Sequence, residues 1–229
     1  MKILSKIIRK LNKFCQLNTS ICRTKEVWKG SADYWNKRYI SGGNSGAGSY
    51  NRLAEFKADV LNHFVQTHKI KSVVEWGCGD GNQLSYANYP QYVGLDVSQK
   101  AIEICKERFK TDKTKFFIWS GASDFHYNAK SELAISLDVV YHLIEDDVFE
   151  QYMRQLFNSS THYVCIYSCN DNNEFLAPHV KHRQFSKWIE DNEPSWTKEK
   201  VIKNKYPYEE TNPDNTSWSD FYFYEKKVV

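Results

Sequence analysis

Three glycines spaced two apart, Gly77, Gly79 and Gly81 in the run VVEWGCGDGN at 73–82, follow an apolar segment that carries Glu75 near its end. Glycine lets a chain bend sharply with no Cβ in the way, and a helix starting there would add unpaired N–H donors, so a ligand can lie against the backbone. Asp96 closes the next apolar run, YVGLD at 92–96, 21 residues beyond Glu75. A carboxylate at a strand tip accepts two hydrogen bonds from the hydroxyls of a ribose. Together, glycine turn and acidic tip describe a nucleoside site.

The spacing narrows the nucleoside. Gripping the pyrophosphate of a dinucleotide asks for G-x-G-x-x-G, and the third glycine would fall on Asn82. A phosphate-cradling loop is excluded as well, because no Gly-Lys-Ser/Thr follows.

Stepping outward from the turn, short apolar runs at 72–76, 92–95, 116–119, 133–137 and 163–167 alternate with helical patterns at 98–109 and 145–157. Strand, helix, strand repeated in this way gives an α/β fold: a mostly parallel sheet with helices on both faces. Ser98 is a good N-cap for its helix. A further helix at 184–191 precedes two late strands, 198–204 and 219–225, which predict an antiparallel strand at the sheet edge.

Ahead of the first strand, residues 51–67 place Leu53, Phe56, Val60, Leu61, Phe64 and Val65 on one helical face. Residues 31–40 predict another helix, capped by Ser31. Between the two helices, SGGNSGAGSY at 41–50 holds four Gly and three Ser flanked by Tyr34, Trp35, Tyr39 and Tyr50. A plain linker needs no such aromatics, so this segment reads as a lid or ligand-contacting loop.

These residues, taken together, resemble the S-adenosylmethionine (SAM)-dependent methyltransferases with a seven-stranded Rossmann-like sheet, over roughly residues 50–226. The resemblance implies SAM as cofactor. It places the methionine part beside Glu75, Gly77, Gly79 and Gly81, and the ribose on Asp96 with Val97 against the adenine. Gly121, Ala122 and Ser123 would meet the adenine edge, and Leu137 and Asp138 the methionine and methyl end. Asn82 and Tyr50 count among the implied cofactor contacts. Trp76 is bulky for its position, and Ser120-Gly121-Ala122 stands where an acidic residue is more usual.

For the acceptor side, His142 in LDVVYHLIED lies at the carboxyl edge of the sheet, where a histidine poised near neutral pH can take a proton from a hydroxyl. His179, His182 and Arg183 form PHVKHR at 178–183, where Arg183 could pair with an anionic substrate and a histidine could help with the proton. His142, His182 and Arg183 are therefore the candidate catalytic residues, and no metal is expected. Asp138-Val139-Val140-Tyr141 is not the Asp/Asn-Pro-Pro-aromatic run of amino-methylating DNA enzymes. YWNKRY, the Gly/Ser loop and PHVKHR are more similar to small methyltransferases encoded with bacterial surface-polysaccharide and capsule genes. That likeness implies O-methylation of a small or glycan-linked acceptor (sugar, nucleotide-linked or phosphoramidate-type). An NAD-dependent sugar oxidoreductase and a non-catalytic SAM-binding subunit are the competing readings.

Composition bounds the rest. At 229 residues, 41% hydrophobic and 15% aromatic, the chain has enough apolar side chain for one core. Residues 1–30 carry a net +7 and the remainder −4, so a nucleic-acid surface spread over the fold is not expected. Residues 1–14 predict a basic amphipathic helix suited to an anionic membrane interface. We thus expect an N-terminal extension over 1–30 and a catalytic domain over 31–229. Six cysteines without CxxC or zinc spacing suit a reduced cytoplasmic protein, possessing at most peripheral contact with the inner membrane face.

Overall fold

A computed structural model of the chain describes residues 28–173 and 177–227. The amphipathic segment 1–14 and the cysteines Cys15 and Cys22 lie outside the described residues.

The described elements run α1 (Ser31–Ile40), α2 (Asn51–Thr67), β1 (Ser72–Trp76), β2 (Gln91–Asp96), α3 (Gln99–Arg108), β3 (Lys115–Trp119), β4 (Ser131–Leu137), α4 (Asp146–Asn158), β5 (Ser160–Ser168), α5 (Phe185–Asn192), β6 (Trp196–Ile202) and β7 (Asp220–Lys226). The seven strands form one sheet in the order β3-β2-β1-β4-β5-β7-β6. All neighbours from β3 to β5 pair in parallel, while β7 runs antiparallel to both β5 and β6. The reversed strand thus stands one place in from the edge, and β6 is the edge itself.

Why the strands are strands is visible in their two-sided burial. Val73 faces one core with Leu61, Tyr92, Leu133 and Phe221, and Val74 faces the other with Leu95, Ala134, Met153 and Val164. A parallel strand covered on both faces wants apolar residues at successive positions, and β1 and β4 supply them. Each fully buried Val, Leu, Ile or Phe of these cores contributes roughly 1.5–3 kcal/mol relative to exposure.

Helix α2 lays Leu53, Ala54, Leu61, Phe64 and Val65 on the sheet, and α4 lays Phe149, Met153, Leu156 and Phe157 on the opposite face. Ser98 caps α3 by accepting from the Ala101 N–H at 3.3 Å. Ser31 does not cap α1 as predicted. Gly30, at φ 120°, is the N-cap residue, and the Ser31 hydroxyl instead donates to Glu145 Oε2 at 2.7 Å.

The helix expected after the glycine turn is also absent at full length: a single 3-10 turn, Gln83–Tyr86, stands there. Asn88 and Pro90 follow too soon for an α-helix to grow. Among the described residues no helix is long and apolar enough to cross a membrane.

Candidate active site

Ligands of open α/β sheets settle at the carboxyl ends of strands where the order reverses, here between β1 and β4. A cavity of about 340 Å³ opens there. Its wall includes Glu75, Gly77, Gly79, Asp96, Val97, Gly121, Ala122, Ser123, Leu137, Asp138 and His142, so the structure brings eleven of the predicted residues together.

The glycines divide by function. Gly77 takes φ 81°, and a Cβ there would stand 2.4 Å from Val139 Cγ2. Gly79 takes φ 58° beneath the Ser45 hydroxyl. Gly81, predicted under the cofactor, is not in the cavity wall. Its bare Cα admits the Phe109 ring and Cys105 Sγ of the α3 end, both of which a Cβ would crowd.

Two further predicted contacts belong to the lid and not to the wall. Asn82 donates from Nδ2 to the Ser49 carbonyl at 2.8 Å and accepts from Arg108. Tyr50 donates its hydroxyl to Asp80 Oδ2 at 2.7 Å. Asp80 also accepts from the Ser45 N–H, and its own N–H donates to Ser45 Oγ at 3.0 Å. The Gly/Ser loop is therefore pinned across the glycine turn, with Ser45 and Ser49 in the cavity wall. These donors hold the Asp80 carboxyl below its ordinary range against the opposing effect of burial.

His182 and Arg183 are corrections. His182 Nδ1 meets Asp171 at 2.9 Å. Arg183 Nη2 meets Asp146 at 2.8 Å and donates to the carbonyls of Leu143 and Ile144. Neither stands in the cavity wall, because the chain after β5 folds His182 back onto its own Asp171 and carries Arg183 to the start of α4. Arg183 there braces the loop behind His142 instead of awaiting an anion.

His142 is in the wall. Its Nδ1 lies 2.7 Å from the His179 carbonyl, which can only accept, so Nδ1 carries the proton and Nε2 the lone pair. Burial lowers its pKa to about 4, opposed by the hydrogen bond to His179. The Trp35 ring meets His142 edge-on at 4.8 Å between centroids, and Tyr34 stacks on His179 at 4.6 Å.

The floor consists of acceptors. Asp96 receives the N–H groups of Gly79 at 2.9 Å and Ser98 at 2.8 Å, and burial still pushes its carboxyl up to about 6. Burial pushes Glu75 up to about 7, opposed by the Tyr92 hydroxyl that donates to it. Gln83 turns its amide Nε2 to the Ala54 carbonyl and leaves Oε1 buried with no partner. Asp138, at the end of β4, completes the set.

Carboxylates lining a half-enclosed cavity would repel a pyrophosphate. They fit a ligand that turns hydroxyls and cations toward them, as SAM can with its ribose, ammonium and sulfonium. Residues 73–160 match the family model described as a methyltransferase domain. That match marks residues 73–160 as a methyltransferase domain. SAM is the cofactor its site is made to hold, and the dinucleotide reading is not favoured.

Solved structures show the same fold at low identity. The N-methyltransferase NodS from Bradyrhizobium japonicum WM9, with S-adenosyl-L-homocysteine, matches at TM-score 0.68 and 12% identity, over 87% of this chain and 100% of that one. The magnesium protoporphyrin IX methyltransferase ChlM from Synechocystis PCC 6803, with SAM, matches at 0.63 and 14%, over 89% and 100%. The methyltransferase domain of a bacterial protein, CtHen1-C, matches at 0.58 and 17%, over 77% and 100%. No curated protein matches.

Sequence reasoning passed over several groups of the methyltransferase's site. Lys57 sits on the buried stripe of α2, four residues from both Leu53 and Leu61, and that spacing was the available signal. Phe125, Gln151 and Tyr152 also line the wall, from a loop and from α4, whose meeting no local pattern encodes. Among the described residues no group of three or more His, Cys, Asp or Glu is placed to hold a metal ion.

Proposed function

We propose that this methyltransferase moves a methyl group from SAM onto an oxygen of a small or glycan-linked acceptor: a sugar, nucleotide-linked or phosphoramidate-type compound. The observation that carries the reading is His142, fixed in the cavity wall by the His179 carbonyl with Nε2 left to meet a hydroxyl. Bound SAM supplies a methyl on a sulfonium, already an excellent leaving group. The work left to the chain is to align the oxygen and exclude water.

His142 accepts the acceptor's hydroxyl hydrogen at Nε2. With its pKa lowered to about 4 the ring is neutral at physiological pH but a weak base. It therefore takes the proton as the new oxygen–methyl bond forms, not before. The rings of Tyr34, Trp35 and His179 around it offer faces and edges to the C–H surface of a sugar.

Similarity of YWNKRY, GGNSGAGSY and PHVKHR to methyltransferases of capsule gene clusters supports a glycan precursor. A basic segment at 1–14 suits an enzyme working in the cytoplasm at the inner membrane face. The test is a screen of purified protein with SAM against sugar nucleotides and phosphoramidate-type intermediates, read by mass. Addition of one methylene to an oxygen acceptor, lost in His142→Ala, is the expected result. Methylation of amine acceptors alone would overturn the oxygen assignment.

A further inference from the structure

Lys57 has a side chain with 0% exposure, and its Nζ lies 2.7 Å from Asp138 Oδ2. Burying an ammonium within the α2–sheet core is expensive, and a pair of apolar residues would fill the same space at no such cost. Asp138 itself takes φ 58°, a left-handed backbone that a non-glycine residue avoids, held by its N–H to the Tyr167 carbonyl at 2.9 Å. The carboxylate also receives the hydroxyls of Tyr141 at 3.1 Å and Ser219 at 3.0 Å, both on Oδ1. Three elements thus converge to aim one carboxylate, whose side chain is 12% exposed and stands in the cavity wall.

Its place along the sheet says what it meets. The strand order β3-β2-β1-β4 sets residues 121–123, then Asp96, then the glycine turn, then Asp138 in sequence across the sheet edge, neighbouring strands about 4.8 Å apart. A nucleoside with its base at 121–123 and its ribose on Asp96 therefore extends its far, reactive end toward Asp138. Gly48 of the lid passes directly over the carboxylate, where a Cβ would stand 2.8 Å from Oδ2.

We infer that Asp138, paired with and aimed by Lys57, is the cation-recognising group at the reactive end of the cavity. It selects a donor that is positively charged there, and an acceptor whose nucleophile arrives with a hydrogen to donate, a hydroxyl or an amine. The inference rests on the placement of SAM proposed above. Lys57 is a positioning residue in this scheme, since it acts through Asp138.

The test needs no acceptor. S-adenosylhomocysteine is uncharged at the reactive end, whereas sinefungin carries an ammonium in place of the methylsulfonium. Calorimetry on the full chain should find sinefungin bound about tenfold tighter than S-adenosylhomocysteine, as a charge-assisted hydrogen bond implies. Asp138→Asn should bring the two within about twofold of each other by losing that bond, whatever it does to S-adenosylhomocysteine affinity itself. Should Asp138→Asn not fold, the Lys57→Met/Asp138→Leu double variant replaces the pair by apolar residues and should show the same loss of preference. An unchanged preference in either variant overturns the inference. Failure of the wild-type chain to bind S-adenosylhomocysteine at all would instead overturn the SAM placement.

Discussion

The Ser45 hydroxyl lies across Gly79 so closely that a Cβ on the glycine would stand 2.3 Å from that oxygen and 2.9 Å from the Tyr39 hydroxyl. Ser45 and Tyr39 are themselves hydrogen-bonded at 2.8 Å. The first helix and its loop therefore close on the glycine turn by using the space a side chain would need. Gly79→Ala should push the loop off the turn and also force alanine to φ 58°. We expect a stability loss of about 1–3 kcal/mol in thermal unfolding. S-adenosylhomocysteine should bind at least about tenfold more weakly, as expected when a site's supporting geometry shifts.

Asp80 is the latch for the same loop. Asp80→Ala removes the acceptor for the Tyr50 hydroxyl and the Ser45 N–H together. Amide hydrogen exchange over 41–50 should quicken while exchange in β1 and β4 stays as it was, because only the local opening becomes easier. Equal protection in the variant would show that the loop is held by other contacts.

Cofactor affinity should fall with acidification through about pH 6. Burial raises the Asp96 carboxyl to about 6, and ribose hydroxyls donate best to its ionised form. Binding therefore favours loss of the proton, and below pH 6 affinity should drop, approaching about tenfold per pH unit. For the cofactor-free fold the sign is opposite: a carboxyl raised above its unfolded value weakens the fold above pH 6, and that penalty is relieved as pH falls from 6 toward 4. Calorimetry from pH 7.5 to 5 on wild type and Asp96→Asn separates this group, whose removal should flatten the lower part of the profile.

His142→Ala should lower turnover about 10²–10⁴-fold, the range for a lost proton acceptor. S-adenosylhomocysteine affinity should stay within about threefold, since the ring faces the acceptor. With a pKa near 4, His142 stays neutral at pH 6. Turnover at saturating SAM should accordingly show no acid limb from this ring between pH 8 and 6.

Much of this architecture was legible in the residues themselves. The strands around Val73, Val93, Ile135 and Val164 are apolar runs bounded by turns, and the Gly77–Gly81 crook with Asp96 is a local pattern whose geometry needs no tertiary knowledge. Where tertiary packing decides, the residues were silent or misleading. Gly81 and Gly79 are alike in sequence, and only the position of Phe109 turns Gly81 into a packing glycine. Arg183 has the composition of an anion site, yet the path after β5 sets it beside Asp146. Lys57 broke an apolar stripe without any local sign of the Asp138 that accepts it.

That pair also makes a stability prediction. Lys57→Ala leaves the Asp138 carboxylate without its cation and should cost about 3–5 kcal/mol in denaturant unfolding, whereas Lys57→Met/Asp138→Leu, which strands no charge, should lose less than the single variant. A loss as large in the double variant as in the single one would mean that packing, not charge, fixes this end of β4.

Titration of the purified chain with SAM and, separately, with NAD, repeated on Asp96→Ala, bears most directly on the cofactor site. A cavity floored by Glu75, Asp96 and Asp138 predicts one SAM bound per chain, no measurable NAD binding, and at least about a thirtyfold loss of SAM affinity in the variant, equivalent to the roughly 2 kcal/mol of two hydrogen bonds. NAD binding in place of SAM, or an Asp96→Ala variant that binds SAM as the wild type does, would contradict it.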